Sequence, residues 1–227
     1  MQKAVCALAL APAALFAGVR PAPVDKNPVH PAPQDPCAGP ISYTNVELIY
    51  EYTDFDAAGF DNGDGVALRF EYELAKQFYI KADVDYSSYD FVDRQDTGQF
   101  SRGFGVDQWT LTLGVGGHIA LTENIHLAGD AGLVYTDISG SSGYDDDYYG
   151  YGDDSETGWY IRPHIRAKWG CLTVHAGASY VDLGDDADEW AAFVKAYYQI
   201  TPVLDLTAGY SGGEEADVWS AGVRYRF

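Results

Sequence analysis

The chain has 227 residues, a length that suits one barrel or sandwich or two small domains. Its 34 acidic against 14 basic residues leave a net charge of -20, which repels nucleic-acid phosphates and excludes a DNA- or RNA-binding function. With 18 tyrosines, 25 glycines and one methionine the composition favours strands and turns over helices, and no apolar run reaches the roughly 18 to 20 residues that a spanning helix needs.

Residues 1–17 carry one early positive charge, Lys3, then an apolar core and small residues, the layout of a secretory signal peptide. Cys6 lies within that stretch and leaves with it, so no lipid anchor is expected. Residues 18–40 are rich in proline, lack apolar periodicity, and read as an extended periplasmic linker.

From 41 to 227, apolar and polar residues alternate over segments of about ten, the period of a strand with two unlike faces. Ten segments are expected, near 43–55, 65–74, 78–89, 106–118, 125–137, 158–169, 171–181, 190–200, 203–211 and 218–227. One face of each is apolar, aromatic or Thr, as in Val46, Leu48, Tyr50 or Leu111, Leu113, Val115, and holds no charged residue. The other face gathers eight acids, Glu47, Glu51, Glu71, Glu73, Asp83, Asp85, Asp130 and Asp205. Eight bases share it: Arg69, Lys81, Arg162, Arg166, Lys168, Lys195, Arg224 and Arg226.

Three features point the apolar face outward into lipid. Aromatic residues collect at both ends of the apolar faces, as interfacial girdles do. Long and short connections alternate, the short ones belonging to the periplasmic side. Almost the whole net negative charge falls within the long connections, which puts it on one rim. The expected fold is therefore an all-β, closed antiparallel transmembrane β-barrel of ten strands, with eight as the alternative count, and both chain ends on the periplasmic side.

The closing strand, Trp219 to Phe227, ends in aromatic-x-Phe, with Tyr225 and Phe227 on its outer face. In this the chain resembles the small outer-membrane β-barrel proteins of Gram-negative bacteria, the OmpA-like, OmpX-like and OmpW-like porin-family group. The resemblance implies localisation in the cell outer membrane, contact with its lipid and lipopolysaccharide, and insertion by the barrel-assembly machinery, which reads Tyr225 and Phe227. An OmpA-type chain would continue into a C-terminal peptidoglycan-binding domain; none is expected here, since the sequence reads as barrel up to Phe227.

Asp83 and Asp85 share the lumen face of one strand, as the water-activating carboxylates of barrel proteases do, but no Asp-x-His couple stands opposite them, and catalysis is not expected. His118 with His126 and His164 with His175 are expected to face each other across their hairpins, inside the barrel, where such pairs bind a metal or change charge between about pH 5 and 8. Asp145, Asp146, Asp147, Asp153 and Asp154 concentrate carboxylates in one tyrosine-rich loop, oxygen ligands suited to weak surface binding of Ca²⁺ or Mg²⁺; no other cofactor is expected. Cys37 and Cys171 both fall at the periplasmic rim of an oxidising compartment, where a disulfide between them is allowed.

These readings describe a monomeric, non-enzymatic barrel whose acidic loops serve envelope integrity or surface interaction and adhesion, with an extracellular protein or glycan as ligand. The alternative is a narrow porin-like channel for small solutes or ions. Oppositely charged side chains are expected to interlock across so narrow a lumen and largely occlude it.

Overall fold

In a computed structural model, ten antiparallel strands close into one barrel. The structure describes Cys37 and residues 39–55, 60–91, 104–141, 154–184, 188–214 and 216–227. The segments that the sequence marks as a signal peptide and, for the most part, as a linker lie outside the described residues.

The strands are β1 (Asn45–Phe55), β2 (Phe60–Ala75), β3 (Phe78–Phe91), β4 (Phe104–Thr122), β5 (Ile125–Ser141), β6 (Asp154–Trp169), β7 (Leu172–Asp182), β8 (Asp188–Gln199), β9 (Leu204–Gly213) and β10 (Ala216–Arg226). Each pairs with its neighbour in sequence, and β1 pairs with β10, so no edge is left to expose backbone groups to lipid. Ten strands, rather than eight, is the count. Among the described residues no helix is long and apolar enough to cross a membrane; the crossing is made by strands.

The two faces separate as the alternation requires. Leu48, Leu68, Leu113, Leu133 and Leu206 are each about half exposed or more on the outside, whereas Glu47, Asp130, Arg166, Asp205 and Arg224 are buried within. This inversion of a soluble protein's order fits a barrel whose outer solvent is hydrocarbon.

Several strands outrun the lengths expected from sequence. Strand β4 continues to Thr122 instead of ending near 118, because Ile119 and Leu121 keep the outward alternation, at 62% and 59% exposure. The short turn thereby moves to Glu123–Asn124, with a register shift between Ala120 and Thr122. The β6–β7 turn falls at Gly170 and Cys171, and Gly170 takes a φ of 56°, a left-handed conformation that glycine adopts without a Cβ clash. Both turns lie further along the chain than the expected histidine pairing assumed. His118 consequently stands opposite Ala128, His126 opposite Ala120, His164 opposite Gly177 and His175 opposite Arg166.

Large side chains fill the lumen where glycine on a neighbouring strand makes room. Tyr79, fully buried, lies over Gly116, and a Cβ at that position would fall into the tyrosine ring.

Candidate functional site

The lumen holds a belt of alternating charge. Asp83, Arg69, Glu47, Arg224 and Asp205 are successive cross-strand partners on β3, β2, β1, β10 and β9, so that each carboxylate stands beside a base. Opposite charges placed directly across a ladder stabilise it, and the alternation fixes strand register as well. Arg224 closes on Asp205 at 2.6 Å and Arg226 reaches the same carboxylate at 3.1 Å. Arg69 binds Glu51 at 2.7 Å and lies 3.7 Å from Asp85.

Other pairs span the lumen. Arg166 on β6 makes a two-point contact with Glu71 on β2, Lys195 on β8 meets Glu47 on β1 at 2.8 Å, and Arg162 on β6 lies 3.8 Å from Asp83 on β3. Lys81 bridges Asp83 and Asp130 at 3.5 and 3.9 Å. Burying so many ions is tolerable only because each has a counter-charge within reach. Asp83 is thus engaged by Lys81 and Arg162, and Asp85 by Arg69.

Two members of the expected network sit elsewhere. Glu73 is exposed at the periplasmic end of β2, beyond the belt, and its backbone N–H donates to Thr44 Oγ1 at 3.1 Å. Lys168 points to the periplasmic mouth, where its ammonium donates to the Gly39 carbonyl at 2.8 Å.

That contact belongs to a feature the alternation did not announce: the segment before β1 enters the barrel mouth as a plug. Ile41 and Tyr43 are buried against Tyr79 and Ala128. Tyr43 stacks on His118 at 3.9 Å, its hydroxyl lies 3.0 Å from His126 Nδ1, and the Arg166 guanidinium stands 4.3 Å from its ring centre. Burial pushes the Tyr43 phenol up to about 12, the nearby Arg166 charge opposing the shift. Cys37 and Cys171 form a disulfide, Cα to Cα 4.5 Å, which fastens this segment to the β6–β7 turn. The sequence signal was a change of phase: Ile41 and Tyr43 place bulk at odd positions, whereas β1 places its outward bulk at even ones.

All four histidines face inward, but as diagonal neighbours. His118 and His126 lie 5.1 Å apart with planes only 3° from parallel, and His164 and His175 are 6.0 Å apart. Stacked imidazoles direct their lone pairs side by side, not toward one point between them, so the first pair is poorly arranged to chelate. Among the described residues no group of three or more His, Cys, Asp or Glu is gathered for a metal ion. The loop carboxylates Asp145, Asp146, Asp147 and Asp153 lie outside the described residues; Asp154 opens β6, and its side chain is likewise outside them.

The outer surface at the loop end carries an aromatic girdle with a polar upper edge. Tyr86, Tyr180 and Tyr210 pack against Trp109, Trp190 and Trp219 at 4.7 to 4.8 Å. Their hydroxyls donate to Asp107, Asp188 and Asp217, at 3.0, 3.4 and 2.8 Å, and Tyr50 does the same to Asp64. Rings in the apolar belt with hydroxyls above it are placed as an interface requires. At the other end Tyr225 and Phe227 are exposed on the outer face with ring centres 5.2 Å apart.

Within the lumen a cavity of about 250 Å³ reaches from Glu71 and Arg166 toward the loop end, past Ser179, Ser211 and Ser220.

No family model matches the chain, and no curated protein matches it. Solved structures do. The translocator domain of the autotransporter NalP from Neisseria meningitidis superposes with a TM-score of 0.50 over 82% of this chain and 90% of that one, at 10% identity. The beta domain of the Bordetella autotransporter BrkA does so with a TM-score of 0.50 over 81% of this chain and all of its own, at 12% identity. OprG from Pseudomonas aeruginosa, an outer membrane protein, covers 85% of this chain and 99% of its own length at 12% identity and a TM-score of 0.47. The fold is that of the outer-membrane β-barrels of Gram-negative bacteria.

Proposed function

We propose that this chain is a non-enzymatic, monomeric barrel of the Gram-negative outer membrane. It is occluded, and its acidic, tyrosine-rich loops serve envelope integrity or contact with an extracellular protein or glycan. The observation that supports occlusion is the plug: buried Tyr43 stands in the periplasmic mouth beneath the Glu71–Arg166 bridge, and two such groups narrow a ten-stranded lumen. Insertion follows from Tyr225 and Phe227 read by the assembly machinery, with the girdles seated in lipid and lipopolysaccharide.

Planar-bilayer recording tests this. The refolded, disulfide-intact barrel is expected to give no stable conductance step. Stable steps whose size changes on substituting Arg162 or Arg166 overturn occlusion and install the channel reading, which the lumen cavity favours. For the surface role, whole cells that display the protein are expected to bind immobilised host glycans or matrix proteins more than cells displaying a barrel with residues 142–153 replaced by a short Gly-Ser linker. Equal binding removes the loops from the reading.

A further inference from the structure

The lumen cavity is built for more than bulk water. Three ion pairs line its charged side, Glu47 with Lys195 at 2.8 Å, Glu51 with Arg69 at 2.7 Å and Glu71 with Arg166 at 2.9 Å. Each of these cations has its carboxylate, and Lys81 and Arg162, which also line the cavity, lie 3.5 to 3.9 Å from Asp83 or Asp130, so no cation stands without a counter-charge to draw a free anion. What remains is N–H donors and carboxylate acceptors side by side, the environment that a hydroxyl group satisfies by donating and accepting at once. His175 Nε2 and Arg69 Nε, both buried, have no hydrogen-bond partner, and both residues line the cavity.

The wall beside these pairs differs in kind, Ser220 being the cross-strand partner of Glu51 and Gly209 that of Lys195. On β7, β9 and β10 the sequence supplies Ser179, Gly209, Ser211 and Ser220, small residues that leave the space open and add hydroxyls. Among them β8 turns Phe193 inward, a half-buried apolar ring whose neighbours in register are Gly177 and Ser211. A benzene ring facing a polar space is costly to hydrate, and a ligand that offers it a face of C–H groups relieves that cost. The volume of about 250 Å³ falls just short of the roughly 300 Å³ at which drug-sized pockets begin. At about 30 Å³ per water it corresponds to roughly eight waters.

A molecule with an apolar ring face, hydroxyls around its edge, no net charge and this size is a simple sugar. We propose that the lumen cavity binds a neutral monosaccharide, its ring stacked on Phe193 and its hydroxyls shared between the Glu47–Lys195 and Glu51–Arg69 pairs and the serines of β9 and β10. This goes beyond the occluded-barrel reading and holds whether or not the lumen conducts.

Saturation-transfer NMR on the full chain, refolded in a deuterated detergent with no sugar headgroup, tests it. The probes are D-glucose, D-galactose and D-mannose, with sodium glucuronate and glycine as charged counterparts. Saturation is expected to reach the ring C–H protons of at least one neutral sugar, and to reach glucuronate and glycine less. Phe193→Ala is expected to weaken that binding by about fivefold and Phe193→Trp to restore it. Three results overturn the proposal: no transfer to any neutral sugar from a barrel that keeps its heat-modifiable gel mobility, stronger transfer to either charged probe, or unchanged binding in a folded Phe193→Ala. If Phe193→Ala does not fold, Ser211→Leu fills the same space from β9, and sugar binding that survives it overturns the assignment. A silent bilayer recording leaves this result untouched, so the two readings fail separately.

Discussion

Glu71 and Arg166 meet across the lumen through two parallel hydrogen bonds of 3.0 and 2.9 Å, although three strands separate β2 from β6 along the barrel wall. The bridge braces two facing walls, and removing one partner strands the other charge in a buried place. Arg166→Met is expected to destabilise the barrel by about 3 to 5 kcal/mol, and the double variant Glu71→Leu, Arg166→Met to recover most of that loss. Urea unfolding in lipid vesicles, followed by tryptophan fluorescence, gives both values. A single variant that unfolds at the wild-type urea concentration shows the bridge to be dispensable.

The plug has a separate test. Tyr43→Ala combined with Cys37→Ser removes the aromatic stopper and the covalent tie that holds it. The variant is expected to show conductance in planar bilayers where the disulfide-intact barrel is silent. Cys37→Ser alone is expected to give intermittent openings, since the Lys168 to Gly39 hydrogen bond still holds the segment.

Alkaline pH reaches the same residue. The folded Tyr43 phenol titrates near 12, above its ordinary value of 10.0, because burial disfavours the phenolate. The folded state therefore holds this proton more tightly than the unfolded chain does. Its contribution to stability is complete below about pH 10 and is lost as pH rises toward 12. Between those limits the unfolding free energy of Tyr43→Phe is expected to fall less steeply with pH than that of the wild type; equal slopes contradict the assignment.

Space under Tyr79 is set by Gly116. Gly116→Val drives two methyl groups into that ring and is expected to cost about 1 to 3 kcal/mol. Gly117→Ala, whose new Cβ meets nothing closer than 3.4 Å, is expected to leave urea stability unchanged within about 0.5 kcal/mol.

Removing Phe227 tests the insertion signal. In cells, the chain lacking it is expected to yield much less heat-modifiable, folded protein in the membrane fraction, while spontaneous refolding into detergent is little altered. Equal loss in both assays assigns Phe227 to barrel stability alone.

How far the sequence exposed these features depends on what each is built from. Leu48, Leu113 and Leu206 betray the outer face because lipid demands an apolar group at every second residue, over the full length of every strand. Glu47, Arg69 and Arg224 follow from the same phase. Facing partners need more, because register hangs on where a turn falls. Ile119 and Leu121 extend β4 and shift the turn, which turns His118 and His126 from opposed residues into diagonal ones. From sequence Tyr43 reads as part of the first strand, because a plug shares the local composition of a strand and differs in phase for only two residues. Phe193 carries no signal of its own; an inward phenylalanine becomes informative once Ser211 and Ser220 are known to lie near it.

The bond between Cys37 and Cys171 encloses six of the ten strands in a covalent ring, with a sequence separation of 134. Any pull on the chain ahead of Cys37 is thus delivered to the hairpin of β6 and β7, on the far side of the cylinder from β1. The zipper between first and last strands, where a barrel would otherwise begin to peel, is relieved of mechanical load.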